Sequence, residues 1–556
     1  MAMLVDGRIP EGLGWDRLGA DFRWPRPRRF NIAEICCDRH ARRDPSRLAL
    51  RYVRPGGDRR DYDFGQLARA SRRLANAFAG HGIGRGDRIA VLLPQTPETL
   101  LTHLAAYRLG AVVVPLSTLF GEDGLGFRLR DSGAKAVVTD GASLPKVVAL
   151  RGSLPDLRRI FSIDARESGI DGFWQELGKA DDRQAMAATG PDDPAFLSYT
   201  SGTTGPPKGA LHGHRVLTGH MPGITLAHGG LGLPGDCAWT PADWAWMGGL
   251  TNLLLPALAC GVPVIAHRMP KFDPGRAVEV MAEVGVRNVF LPPTALRLMR
   301  QAGVRAAPGL RSVTSAGEAL GGGLLDWGRG IFGQEIAEFY GQTECNAVIG
   351  NAPGLLPVRP GSAGRALPGH RVAILGPDGV PLPPDTQGEI AVRRPDPTMF
   401  LGYWNAPEKT AEKFRGDWLL TGDEAVMDGE GYVHFRSRTD DVITSSGYRI
   451  GPSEIEDCLA AHPDVMLAAV IGVPDPIRTE AVCAYVVLRE GAAVTEADRT
   501  ALSAALVGRV RERLSPHLAP REVRYAAALP MTATGKIQRR ALREAAVAPA
   551  PDPEGR

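Results

Sequence analysis

A chain of 556 residues exceeds what one small hydrophobic core organises, so two or more domains are expected, one able to bury much apolar surface. Its 44% hydrophobic and 23% charged content and net charge of +3 exclude a disordered or fibrous chain and give no case for nucleic acid as a partner. Only eight of its 65 basic residues are lysine, so a lysine inside a glycine-rich motif stands out, and Lys208 and Lys536 both do.

The first residues, MAMLVDGRIPEGLGWDRLG, lack an apolar segment and carry Asp6, Glu11 and Asp16, which argues against a secretory signal and an acid-poor transit peptide. No stretch reaches membrane-spanning length. The seven cysteines, with Cys36 and Cys37 adjacent and the rest scattered, form neither a disulfide framework nor a C-x-x-C metal pattern, so a reducing cytoplasm is expected. The basic run RWPRPRR at 23–29 reads as a solvated linker interrupted by proline. The tripeptide RGD at 85–87 reads as a turn before a strand, and His212 with His214 lacks further metal ligands.

From about residue 85 to 450, short Val-, Ile- and Ala-rich runs alternate with longer helix-like segments such as 273–285. The runs are RIAVLLP, GAVVVPL, AKAVVTD, GVPVIAH, VRNVFLPP and RSVTSAG. This is α/β layering, a large multi-layer domain of mixed sheets and helices, with no internal repeat. Near residue 440 the texture changes, and Ser453 with Glu456 three residues on predicts a capping box opening a helix. A smaller α+β unit follows, with strands VMLAAVIGV, AVCAYVVL and EVRYAAAL around a helix over 498–514. The expected division is 1–439, 440–546 and a disordered tail 547–556, with the boundary at Arg438 to Asp441.

The segment FLSYTSGTTGPPKGALHGH (196–214) starts as an apolar strand and becomes a loop of hydroxyls and glycines ending in Lys208. Gly202, Gly205 and Gly209 let backbone amides approach anionic oxygens. Thr200, Ser201, Thr203 and Thr204 add hydroxyl donors, and Lys208 adds a full charge, a combination suited to a polyphosphate. It is not a Walker loop, because Gly209 follows Lys208 where a magnesium-binding Ser or Thr would stand. A flexible surface loop remains the plain alternative.

This loop resembles the phosphate-binding signature of the acyl-adenylate-forming superfamily, which includes acyl-CoA synthetases, peptide-synthetase adenylation domains and luciferases. Four further motifs follow in that family's order: SAGEAL (315–320), FYGQTE (339–344), TGD (421–423) with RTDDVITSSGYRIGPSEIE (438–456), and TGKIQRR (534–540). Together they span nearly the whole chain. The resemblance implies a large N-terminal domain holding ATP and the acid, and a small mobile C-terminal domain.

It assigns Glu344 to the magnesium carried by ATP, a hard cation suited to a carboxylate, and Thr343 to the α-phosphate or substrate carboxylate. It places Tyr340 against adenine, with Gly317, Glu318 and Ala319 on the other side, although an aromatic at 340 is equally at home in a core. Asp423 resembles the ribose-binding aspartate, otherwise a turn residue, with Arg438 beside it, and Asp440 resembles the hinge. Lys536 resembles the lysine that bridges attacking carboxylate and α-phosphate, a cation between two anions. Ser437, where many relatives carry glycine, and Met531, where lysine is common, depart from the pattern.

Coenzyme A as acceptor rests on SSGYRIGPSE, which resembles medium-chain acyl-CoA synthetases: Gly447 would leave room for the thiol arm and Arg449 would meet a phosphate. A structural glycine and a surface arginine are the plain alternatives. The acid pocket is expected from TPADWAWMGGLTNL (240–253), with Trp244, Trp246 and Met247 as walls, together with Ser315 and Gly341. Acetate-specific relatives carry tryptophan at the position of Gly341, so a medium-chain, branched or aromatic acid is expected. An amino acid is disfavoured by the apolar walls, despite the nearby Asp243, and no carrier domain follows. The expected reaction joins acid, ATP and coenzyme A through an acyl-adenylate. The alternatives are delivery to an acyl-carrier protein and a non-catalytic acyl sensor, and the oligomeric state is open, a homodimer included.

Overall fold

The computed structural model describes all residues except 1–3, 11, 13, 55, 184, 201–206, 308, 439–440, 442, 446–447, 476–478, 493–494, 515–517, 533–534 and 548–556. The chain divides into two compact units, residues 1–372 with 392–419, and residues 373–391 with 420–556.

The first unit is built on two sheets. In the eight-stranded one, Arg88–Leu92, Val112–Leu116 and Ala136–Thr139 lie parallel and almost wholly buried. Strands covered on both faces have no polar side to show, which is why they read as unbroken apolar runs. Helices Pro97–Leu109 and Glu122–Ser132 make the crossovers, the first opened by Pro97 and closed by Gly110 at φ 68°. The sheet turns antiparallel where Pro194–Thr200 pairs with Lys208–Gly213, and the short strand Gly402–Tyr403 forms its edge on Lys208–Gly213.

The nine-stranded sheet holds Val264–His267, Asn288–Phe290, Ser312–Ala316 and Ile336–Gln342, with the last three neighbours in parallel register. It too turns antiparallel, where Ile336–Gln342 meets Asn346–Gly350. Each sheet therefore ends its parallel run in an antiparallel pair, and the QTE segment lies at the end of the first strand of the second pair.

In the second unit, Trp418–Met427 pairs with Val433–Arg438. Thr479–Leu488 pairs with Val465–Asp475, Ile443–Ser445 and Glu522–Tyr525. Its long helix, Glu496–Arg513, is opened by a capping box between Thr495 and Asp498.

One expectation needs correction. Helix Pro452–Ala460 begins after Gly451 with no side-chain cap, because Pro452, with its fixed φ and no N–H, takes the first helical position. Ser453 thus lies inside the helix, and Glu456 accepts from the Val470 amide instead, at 2.7 Å. The basic run at 23–29 is solvated as expected, its four arginines and two prolines exposed, and only Trp24 is held: it donates its indole N–H to Gly369 O at 3.0 Å and packs edge-on against Phe22 and His370. RGD is the expected turn, with Gly86 at φ 79° and Asp87 paired to Lys135 at 2.6 Å.

Candidate active site

In the first unit the strands on either side of the glycine- and hydroxyl-rich motif, Pro194–Thr200 and Lys208–Gly213, pair antiparallel in a register that sets Thr200 opposite Lys208. Ser201, Gly202, Thr203 and Thr204 lie outside the described residues. Gly209 is demanded by packing, since a Cβ there would come within 2.9 Å of Leu197 and 3.2 Å of the Tyr199 ring. The partly buried Lys208 places its ammonium 5.3 Å from the centre of the Tyr403 ring, within cation–π range.

The QTE turn follows strand Ile336–Gln342. Tyr340 and Gly341 flank a bulge against Asn346–Gly350, and Asn346 adopts φ 53°, a left-handed conformation that asparagine tolerates. Tyr340 and Thr343 are partly exposed and Glu344 is 9% exposed. Glu344 is held at two points: Oε1 accepts from Tyr403 Oη at 2.5 Å, and its backbone carbonyl accepts from Phe400 N at 2.8 Å.

Beneath it Asn346 Nδ2 donates to Thr398 O at 2.9 Å, and Thr398 donates from N and Oγ1 to Asp396 Oδ1 at 2.9 and 2.6 Å. Asp396 Oδ2 meets His370 Nδ1 at 2.7 Å, both side chains being buried. Burial pushes the Asp396 carboxyl up, but His370 and the Thr398 donors outweigh it and hold the carboxyl below its ordinary range.

The residues expected beside adenine follow strand Ser312–Ala316: Gly317 at φ 110°, exposed, then Glu318, then exposed Ala319. Glu318 is paired with Arg297 Nη1 at 2.6 Å, which fixes the loop. Of the expected acid-pocket residues, Trp244 is buried, with an indole N–H that finds no hydrogen-bond partner among the described residues, while Trp246 and Met247 are partly exposed. Trp246 packs edge-on against Phe120 at 5.7 Å. Ser315 is fully buried, and its hydroxyl likewise has no partner among the described residues. Burial raises the Asp243 carboxyl, opposed by the Ala245 amide. Two surface cavities of about 420 and 610 Å³, at Arg47–Asp236 and Trp24–Arg371, contain none of these residues.

In the second unit Asp423 is 4% exposed and stands opposite Arg438 in the strand register. Its motif is fixed by Thr421 Oγ1 donating to Ile390 O at 2.7 Å and by Gly422 N donating to Glu389 at 2.7 Å. The Arg438 and Arg449 side chains, with Asp440 and Gly447, lie outside the described residues. Lys536 is exposed on a turn closed by Thr532 N to Lys536 O at 2.7 Å and by Lys536 N to Thr532 Oγ1 at 3.0 Å. Gly535 at φ 84° makes that turn. The helix after it, Arg539–Val547, is anchored by Arg539, which grips Glu456 at 2.6 Å and Asp441 at 3.3 Å, and by Arg543, which reaches Asp441 at 2.8 Å.

Sequence reading missed Tyr403, Arg297, the pair His370–Asp396 and the anchor Arg539–Glu456–Asp441. Two left a trace: Tyr403 stands in the apolar run MFLGYW, and two arginines close the TGKIQRR motif. The donors suit magnesium in the way that ion is ordinarily bound, by one or two carboxylates plus substrate phosphates. Among the described residues no group of three or more His, Cys, Asp or Glu side chains forms a protein cage, while Glu344 offers a nearly buried carboxylate.

Comparison with known proteins agrees with this arrangement. Residues 37–404 match the family "AMP-binding enzyme" and residues 454–536 match "AMP-binding enzyme C-terminal domain". The rat acyl-coenzyme A synthetase ACSM2, mitochondrial, is 36% identical over 532 residues, 93% of this chain and 92% of that protein. The acetyl-coenzyme A synthetase of Bacillus subtilis (strain 168) is 34% identical, over 93% of this chain and 90% of that protein. The crystal structure of the anthranilate CoA ligase AuaEII with anthranoyl-AMP is similar with a TM-score of 0.85 and 27% identity, over 95% of this chain and 98% of that one. The chain belongs to the AMP-binding enzymes, the acyl-adenylate-forming superfamily, in its branch of AMP-forming acyl-CoA synthetases, which join a carboxylic acid to coenzyme A at the expense of ATP.

Proposed function

We propose that this enzyme binds MgATP between the 200–208 loop and Glu344 and activates a carboxylic acid larger than acetate. The observation that carries the reading is one tyrosine ring touching both motifs: Tyr403 lies 5.3 Å from the Lys208 ammonium and hydrogen-bonds Glu344. Lys208 and the loop hydroxyls would hold the phosphates. Glu344 would hold Mg2+, which when bound neutralises phosphate charge, and Thr343 would orient the α-phosphate or the acid. Tyr340 and Gly317–Ala319 would flank adenine, with Asp423 on the ribose and Arg438 beside it. Lys536 would stand between the acid carboxylate and the α-phosphate, stabilising charge that develops as pyrophosphate departs.

In the second half-reaction the coenzyme A thiol displaces AMP. Asp440 is the proposed pivot between the two states, with Gly447 and Arg449 receiving the thiol arm and a phosphate. Domain motions of this kind limit many turnover rates. The partly exposed Trp246 and Met247 support an apolar acid, and the named acid of AuaEII is aromatic. The name of the Bacillus relative points to acetate, so the acid must be found by assay. Seven free thiols support a reducing compartment, proposed to be the cytoplasm, and among the described residues no helix is long and apolar enough to cross a membrane.

The test is AMP release with MgATP and coenzyme A across acetate, butyrate, branched C4 to C6 acids, octanoate and benzoate. AMP formed with one longer or aromatic acid, and dependent on coenzyme A, supports the reading. Acetate as the best substrate overturns the acid assignment. Adenylate formation that coenzyme A does not discharge favours an acyl-carrier protein as acceptor.

A further inference from the structure

We infer that Tyr403 is a positioning residue: its hydroxyl orients the Glu344 carboxylate for the metal, and its ring ties that carboxylate to the phosphate-loop lysine. The inference rests on the reading of Glu344 as the metal-binding carboxylate. Tyr403 is only 8% exposed, and a buried tyrosine hydroxyl normally finds a hydrogen-bond partner. Here that partner is the charged Oε1 of Glu344 at 2.5 Å, a charge-assisted bond of the stronger kind. One lone pair of Oε1 is thereby engaged, which sets the plane of the carboxylate that a cation would meet.

The tyrosine is itself held rigidly. Its amide donates to Thr410 Oγ1 at 2.8 Å, and Gly402 beside it takes φ 145°. Neighbouring amides stitch its strand to both motifs. Leu401 N donates to Leu211 O at 2.7 Å and Trp404 N to Gly209 O at 2.7 Å, on the strand that begins with Lys208, while Phe400 N donates to Glu344 O. Residues 400–404 thus form a strap fastened to the phosphate-loop strand on one side and to the QTE turn on the other, with the Tyr403 side chain at its centre. A carboxylate whose rotamer is already chosen gives up less freedom on meeting the cation. Lys208, against the negative face of the ring, is kept at the same place.

The test compares the affinity of the full-length protein for ATP in excess EDTA with its affinity for MgATP, by calorimetry, in wild type, Tyr403→Phe, Glu344→Gln and the double variant. The ratio of the two affinities is internal to each protein, so a change in the folded fraction does not move it. Tyr403→Phe keeps the ring over Lys208 and is expected to leave EDTA–ATP binding unchanged while reducing the gain from magnesium about tenfold, with no further reduction in the Glu344→Gln background. A Tyr403→Phe ratio equal to wild type, with Glu344→Gln reduced, overturns the role of Tyr403 alone. A Glu344→Gln ratio equal to wild type overturns the metal reading beneath it, and the inference falls with it.

Discussion

At Gly341 a Cβ would lie 1.6 Å from Asn346 O and 2.3 Å from Asn346 C. The bulge that aims Glu344 brings the returning strand this close, so glycine has a local backbone reason to be there, apart from any effect on the acid pocket. Backbone cannot yield as a flexible side-chain end can, so Gly341→Ala should destabilise the protein by about 2 to 3 kcal/mol or more. A chemical-denaturation midpoint equal to wild type would refute this. Lys536 sits at the other extreme, exposed and bonded through its backbone. Truncation to alanine should leave the melting temperature unchanged and slow acid-dependent pyrophosphate exchange roughly 100-fold to 1000-fold, the scale of one preorganised charge in a transition state. A loss under tenfold would remove Lys536 from the chemistry.

The turn that presents Lys536 depends on the helix behind it, and that helix depends on Arg539. Arg539 and Glu456 expose 19% and 13% of their side chains, so their bidentate contact is largely desolvated, and deleting the arginine takes this cation from Glu456 while Asp441 keeps Arg543. Arg539→Ala should cost about 1 to 3 kcal/mol locally. It should appear as faster amide exchange across Arg539–Val547 with exchange in strand Ser312–Ala316 unchanged, and uniform acceleration in both would refute a local anchor. This anchor also shows where sequence reading stops. The strands over 88–139 and the helix Pro274–Val284 were legible because burial on both faces, or a cap and a period, writes itself into neighbouring residues. The motif residues were legible as short strings for the same local reason. Arg539 with Glu456 and Asp441, or Tyr403 with Glu344, joins residues 59 to 98 positions apart, and no local pattern encodes such a pairing. The misplaced cap at Ser453 is the converse case: the string was right, but Pro452 claimed the first helical position.

Across the first unit, histidine is used as a core residue. His103, His212 and His228 are buried and pushed down to about 3, His214 and His220 to about 4, in every case chiefly by loss of solvent around the charged form. In the unfolded chain these imidazoles take up protons near pH 6.5, while the folded chain refuses them until pH 3 to 4. Between those limits the unfolded state binds more protons, so stability rises with pH through the window and is lost as pH falls below about 6.5. One unit below that value each such histidine removes about 1.4 kcal/mol, and five together could remove roughly 7, comparable to the whole net stability of many proteins. The urea midpoint should therefore hold from pH 8 to 7 and drop steeply between pH 6.5 and 5. Carboxylates with ordinary values stay ionised over most of that range, so a midpoint flat to pH 5 would mean that the buried imidazoles find protons in the folded state. His212 sits on the strand that leaves the phosphate loop, stacked on Phe196 at 4.9 Å. Its protonation would load charge beside the proposed nucleotide site, so adenylation should fail at or above the pH at which the fold does, and activity persisting below the unfolding midpoint would contradict that coupling.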